Sequence, residues 1–281
     1  LRVGLGLCCA LVAWVMSGTD GFRGLEDWML DSCFTFRGVR RTQSNTVIVG
    51  IDDESLQKLG KPIAFVGPEM ARVIDYLKSQ EVRAVGVEAY VPGSYSNMPE
   101  IKEPTGSGAG RPLGLAARSA GNVVLPMWWT EKGWEPPLSE WQTGAPGELA
   151  FVNPTEDNDH YVRRVRLVRD GPVPHFGLAV FAKSQGADFA WDKARNELRV
   201  NSERIPLDED GCLRINFVSP PGTFPMVPFY QILDDARAER PRPELHGAIV
   251  LIGVTSFRDE DVNAVPFNNA YAHSVPHELP A

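Results

Sequence analysis

TVIVGIDDESL, residues 46–56, decides how this chain is read. An apolar run of strand character ends abruptly in two adjacent carboxylates, Asp52 and Asp53. A second run of the same kind, GAIVLIGV at 247–254, is followed by Asp259, and a third, AVGVEAYV at 84–91, contains Glu88. Continuous Val/Ile-rich runs are the mark of strands buried on both faces, as in a parallel α/β sheet. Polar groups just after such strands stand at the sheet's carboxyl edge, where α/β proteins place ligands. Between the first and third runs, Gly67-Pro68 opens a helix, with Pro at its first position and Glu69 at the positive dipole end. Met70, Val73, Ile74 and Leu77 give that helix a buried face. Strand, helix, strand makes a βαβ unit with parallel strands and a right-handed crossover.

Working outward, Pro92–Pro112 is rich in Pro, Gly and Ser and reads as a loop. Its Gly106–Gly110 stretch lacks the preceding strand that a phosphate-binding glycine motif needs. A helix at 113–119 and a strand at 122–126 continue the alternation. Trp128, Trp129, Trp134 and Trp141 then fall in a Pro/Gly-containing segment, where covering and packing is favoured over a ligand pocket. Val162–Arg169 alternates as an antiparallel strand, with Arg163, Arg164, Arg166 and Arg169 on its solvent face. Phe176–Ser184 is a helix closed by Gly186. Leu198–Val200, Arg204–Leu207 and Leu213–Phe217 form a β-meander, turning at Asn201-Ser202 and Asp210-Gly211. Pro228–Ala238 is a helix. The expected fold is therefore α/β: a mixed, largely parallel sheet flanked by helices, with a β-meander insertion, preceded by a transmembrane helix.

That last expectation rests on Val3–Thr19, VGLGLCCALVAWVMSGT, which carries no charge. A spanning helix needs about 20 apolar residues. The chain begins at Leu1, so upstream residues are expected to complete the span, and Ser17-Gly18-Thr19 is a poor cleavage site for a signal peptide. Leu25, Trp28, Met29 and Phe36 have helical spacing and mark a short amphipathic helix leaving the membrane. The division is then 1–19 as transmembrane helix, 20–45 as membrane-proximal helix and linker, and 46–281 as the main domain. Cys33 and Cys212 could pair in an oxidising compartment, although no spacing demands it. A net charge of −8 argues against a nucleic-acid surface.

Asp52, Glu88 and Asp259 stand at three strand ends and could bind a hard cation through oxygen ligands. The competing role, capping the following turns and helix starts, is favoured. No elbow for a serine nucleophile, no activated cysteine and no His pair with metal-ligand spacing is present; Pro276 separates His273 from His277. A phosphoacceptor receiver is rejected, because the central candidate is Glu88 and no lysine follows Val254. A metal-dependent hydrolase using the strand-end carboxylates is the alternative function. No cofactor is expected.

The order of these pieces resembles the CHASE type 2 domain, an extracytoplasmic sensor of bacterial transmembrane receptors. IVGIDDESL at 48–56 resembles its opening strand and turn, and RAVGVEAYV at 83–91 its second strand, with Glu88 where Asp is usual. GELAFVNPTEDNDHYVRR at 147–164 resembles its Gly…Asn…Asp-x-Asp…Arg stretch through Asn153, Asp157, Asp159 and Arg163. HFGLAVFAK, LRINFVSPPGTFPMVPFYQIL and LHGAIVLIGVTS resemble the segments that follow. The tryptophan-containing turn expected after Gly60 is missing, and the chain ends where another helix should begin. The resemblance implies a non-catalytic sensor cut from a longer inner-membrane receptor. It also implies an external ligand or protein partner, a periplasmic main domain, a cytoplasmic cyclase or kinase output, and a homodimer. Asp52, Asp53, Glu88, Asn153, Asp157, Asp159, Arg163 and Asp259 are the candidate binding or turn-organising residues.

Overall fold

A computed structural model describes residues 20–40, 45–94, 111–142, 148–169, 173–218, 223–256 and 263–272. Its helices are α1 (Asp20–Arg37), α2 (Asp53–Leu59), α3 (Gly67–Ser79), α4 (Arg111–Ala120), α5 (Phe176–Ser184) and α6 (Phe229–Ala238). The strands are β1 (Thr46–Ile51), β2 (Ala84–Val87), β3 (Val123–Thr130), β4 (Gly133–Glu135), β5 (Leu149–Phe151), β6 (Arg164–Arg166), β7 (Phe189–Asp192), β8 (Glu197–Val200), β9 (Glu203–Ile205), β10 (Cys212–Arg214), β11 (Met226–Pro228), β12 (Ile249–Val254), β13 (Asn263–Val265) and β14 (Asn268–Ala272).

The run at 46–51 is a central strand, paired in parallel with β11 on one side and β12 on the other. The main sheet has the order β11-β1-β12-β2-β3-β4, with β5 also beside β3. All its pairings are parallel except β3 with β4. The βαβ unit is split. β1 and β2 are parallel, but β12 lies between them and bonds to both. The closing strand, distant in sequence, thus completes the centre of the sheet.

Helices cover both faces, which is why the strands are apolar throughout. On one face Val47, Val49 and Ile51 pack with Met70, Val73, Ile74 and Leu77 of α3, Leu113 of α4, and Phe229 and Ile232 of α6. On the other face Ala84, Val124 and Ala150 meet Ala179 and Val180 of α5. The opposite side of α5 is covered in turn: Leu178 and Ala182 pack with Leu167, Val168, Leu198 and Val200. Helix α5 is therefore held between the main sheet and a smaller β layer.

That smaller layer differs from the expected meander. β7, β8 and β9 form one antiparallel sheet, whereas β10 pairs with β6. Pro206, directly after β9, has no N–H for a continuing ladder. Arg164 also binds Asp208 and Asp210, holding the turn before β10 against β6. Cys33 is exposed, Cys212 is buried and both thiols are free, so the pairing considered from the sequence is not made. The apolar run at 3–19, the Gly106–Gly110 stretch, Asp259 and the pair His273/His277 lie outside the described residues. Among the described residues, no helix is long and apolar enough to cross a membrane.

Gly114 shows how tightly one layer is packed. A Cβ there would stand 2.7 Å from the backbone oxygen of Glu140. Alanine gains about 1 kcal/mol of helix propensity over glycine, while overpacking against an unyielding group costs roughly 1–3 kcal/mol. Gly114→Ala is expected to lower the denaturation midpoint despite its better propensity. A raised midpoint would show that the contact between α4 and residues 139–141 yields freely.

Candidate functional site

At the carboxyl edge of the sheet, Asp52 ends β1 and caps α2. Its Oδ1 accepts the Ser55 N–H at 2.7 Å, which satisfies one of the four orphan donors at the helix start. Asp53 lies in the first turn of α2, where the dipole favours an acid, and accepts a hydrogen bond from the Ser256 hydroxyl just past β12. The Glu88 N–H donates to the Ile252 carbonyl at 2.7 Å. One Glu88 carboxylate oxygen stands 3.3 Å from where a Cβ on Gly253 would be. These three acids share one edge, with Asp52 engaged in its cap. Among the described residues, no group of three or more His, Cys, Asp and Glu is arranged to hold a metal ion.

The second group of candidates lies elsewhere. Asn153 follows β5 and pairs with β3: its Oδ1 accepts the Trp129 N–H at 2.7 Å and its amide donates to the Trp129 carbonyl at 3.0 Å. It extends the sheet by one side chain. Asp157, Asp159 and Arg163 come together. The guanidinium of Arg163 donates to Asp159 at 2.8 Å through two nitrogens and to Asp157 at 3.2 Å. Asp31 of α1 completes the set, accepting from Nε at 3.0 Å and from the other terminal nitrogen at 2.8 Å. Arg163 is only 3% exposed, which corrects its expected place on a solvent face. A buried guanidinium is tolerated because its donors all meet acids. Burial alone would lower its pKa; the bonds to Asp159, Asp31 and Asp157 outweigh that and raise it. Arg164 repeats the pattern with Asp210, Asp157 and Asp208.

Asp31 is the residue that sequence reasoning missed. It belongs to a face of α1 that docks on the domain. Asp27 bonds to Arg214 at 3.5 Å, Phe34 packs edge-on to Phe217 at 5.8 Å, and Arg37 donates to Asn216 and to the Phe217 carbonyl. The apolar positions used to recognise the helix point the other way: Leu25, Trp28, Met29 and Phe36 are all exposed. The expected amphipathic helix exists and is longer, but its mainly polar face docks. The spacing Asp27, Asp31, Phe34 was the available signal, being i, i+4, i+7 on one face.

The four tryptophans divide. Trp141 is fully buried in the main core, whereas Trp129 is 41% exposed and packs edge-on to Trp134 at 4.7 Å. Together these elements define a mixed α/β domain with a largely parallel sheet flanked by helices. A helix that enters from the N-terminal side is clamped to its flank by one buried arginine. The family model of the CHASE2 domain matches residues 7–278, and the chain belongs to that family. CHASE2 domains are extracellular sensory domains of signalling receptors, not catalytic units. Searches of curated proteins and of solved structures gave no match.

Removing one member of a buried ion cluster leaves uncompensated charge, at a cost of roughly 3–5 kcal/mol. Arg163→Ala is expected to lose stability on that scale in chemical denaturation and to speed amide exchange in α1. Normal protection of α1 in a folded variant would separate the helix from the arginine. The cluster also has an acid limit. The hydrogen bond from Arg163 holds the Asp159 carboxyl below its ordinary 3.8. Its contribution is complete above that value and is lost as pH falls through the depressed one. Weakening of the Arg163–Asp159 pair is therefore expected only in strong acid, read by amide exchange in the 157–163 segment.

Proposed function

We propose that this chain is the extracytoplasmic sensory part of a bacterial inner-membrane receptor, with its main domain in the periplasm. It takes up an external ligand or protein partner and regulates a cytoplasmic output such as a cyclase or kinase. The uncharged run at 3–19 supports anchoring by a membrane helix, continuous in sequence with α1. One observation carries the reading: Arg163 binds acids of the domain and Asp31 of α1 at once. Any rearrangement of the 157–163 segment therefore acts on the helix nearest the membrane. The signal works by population shift and moves the equilibrium by no more than its differential affinity for the two arrangements. In the full-length receptor in membranes, deleting residues 46–270 is expected to change basal output or abolish its response to external conditions. Unchanged output and an unchanged response would end this reading.

The receptor is further proposed to act as a homodimer through the outer face of α1. Leu25, Met29, Cys33 and Phe36 lie along one line at steps of four, four and three residues, and all are exposed. Trp28 flanks this line. A second copy of the same helix would bury it. Mild oxidation of the whole chain in membranes is expected to give a covalent dimer through Cys33. Cys33→Ser should abolish it. A product unaffected by Cys33→Ser would place the pairing elsewhere.

A further inference from the structure

The arginine run splits into two pairs with opposite circumstances. Arg163 and Arg164 are saturated with carboxylates. The guanidinium of Arg169 has no acid partner among the described residues, and its buried Nε makes no hydrogen bond. Burial lowers its pKa and the nearby charge of Arg166 lowers it further. Two cations close together, one of them half-buried and unpaired among the described residues, form an electrostatic deficit that no described acid fills.

The surroundings of Arg169 are specific. Its guanidinium lies 5.5 Å from the ring centre of Phe151. Phe151 meets His175 edge-on at 5.2 Å and Trp134 at 5.7 Å, and Trp134 leads to the exposed Trp129. Backbone bonds fix this group: the His175 N–H donates to the Leu167 carbonyl at 2.8 Å and the Phe151 N–H to the Pro174 carbonyl at 3.0 Å. The Nδ1 of His175 accepts the Gly177 N–H at 3.1 Å as the cap of α5. Burial and the charge of Arg169 push the pKa of His175 down to about 4, so the ring is neutral at ordinary pH. With Nδ1 an acceptor, the proton sits on Nε2, which is then a donor.

We infer that Arg169, supported by Arg166 and the Nε2–H of His175, forms an anion site for a small carboxylate carrying a flat apolar group, which packs toward Trp134 and Trp129. A planar carboxylate matches the guanidinium fork. The adjoining aromatic rings reward a flat apolar group, whereas a phosphate or sulfate gains nothing from them. The site deepens the sensory reading and rests on it for its biological meaning. Arg169 and Arg163 belong to one short segment, so an anion drawn to the first acts on the clamp at the second.

The test is calorimetric titration of the whole chain in lipid nanodiscs with phenylacetate, 2-phenylethanol and inorganic phosphate. Phenylacetate is expected to bind with 1:1 stoichiometry, and the other two at least about tenfold more weakly, the scale of a charge-assisted pair. Arg169→Gln should weaken phenylacetate binding by about tenfold or more. Trp134→Leu should weaken phenylacetate binding more than that of acetate, titrated alongside as the carboxylate without a ring. Equal phenylacetate affinity in wild type and Arg169→Gln, preference for phosphate, or no phenylacetate binding up to about 10 mM overturns the site. These readouts are binding alone. A failure here leaves the effect of domain deletion on output intact, and a failure of that deletion experiment leaves the binding result intact.

Discussion

A guanidinium buried to the extent of Arg163 has to be neutralised where it lies. Three carboxylates do this, and they come from two parts of the molecule: Asp157 and Asp159 from the loop before β6, and Asp31 from α1. Neither part can be described without the other. The loop turns tightly, with the Asp157 N–H donating to the Tyr161 carbonyl at 2.8 Å and His160 in the left-handed region. This aims both of its acids at one point. The helix contributes a single acid to a site otherwise finished by the domain. Its position on the domain is thus set mainly by the buried pair of Asp31 with Arg163, with Asp27 adding a second ion pair to Arg214 and Phe34 and Arg37 adding contacts further along the helix.

This arrangement explains the inverted amphipathicity of α1. Helices normally turn their apolar side to the core. Here the flank of the domain offers cations, Arg163 and Arg214, and the helix turns Asp31 and Asp27 toward them. Ion pairs of this kind depend on geometry and are partly reversible. An apolar interface of the same length would be insensitive to local charge. The exposed row from Leu25 to Phe36 is the consequence.

The sheet was legible because its strands are short, continuous apolar runs ending in polar turns. β1 and β12 appear at their expected places within two residues, since burial on both faces leaves a one-dimensional signal. The pairing of β12 between β1 and β2 was not legible, because strand order is a long-range property that no local pattern carries. The smaller β layer failed for a related reason. Asp210-Gly211 is a genuine turn signal, with Gly211 at φ 74°, but a turn does not state which strand its exit joins. Asn153, Asp157, Asp159 and Arg163 were visible as a motif, while Asp31 was hidden because its partner lies 132 residues away. The alternation around Arg163 was read as a solvent face because arginine is seldom buried. That reading fails where several carboxylates converge.

The energetics of the clamp constrain how a signal could use it. Stripping Arg163 of its partners altogether carries a cost of roughly 3–5 kcal/mol, whereas coupling between two sites in one protein is usually about 1–3 kcal/mol. A single ligand therefore lacks the free energy to expose a bare buried guanidinium. Releasing Asp31 alone is a smaller step. Arg163 keeps Asp157 and Asp159, so its charge stays compensated, and the freed carboxylate regains water. Asp31 is only 17% exposed at its side chain, so its release recovers much of the hydration lost on burial, which offsets part of the lost ion pair and keeps the two states close in free energy. On the proposed reading, signalling exchanges one acid at Arg163 and leaves the domain folded. The parallel sheet supplies a rigid reference, and the single pair between Arg163 and α1 is the part weak enough to move.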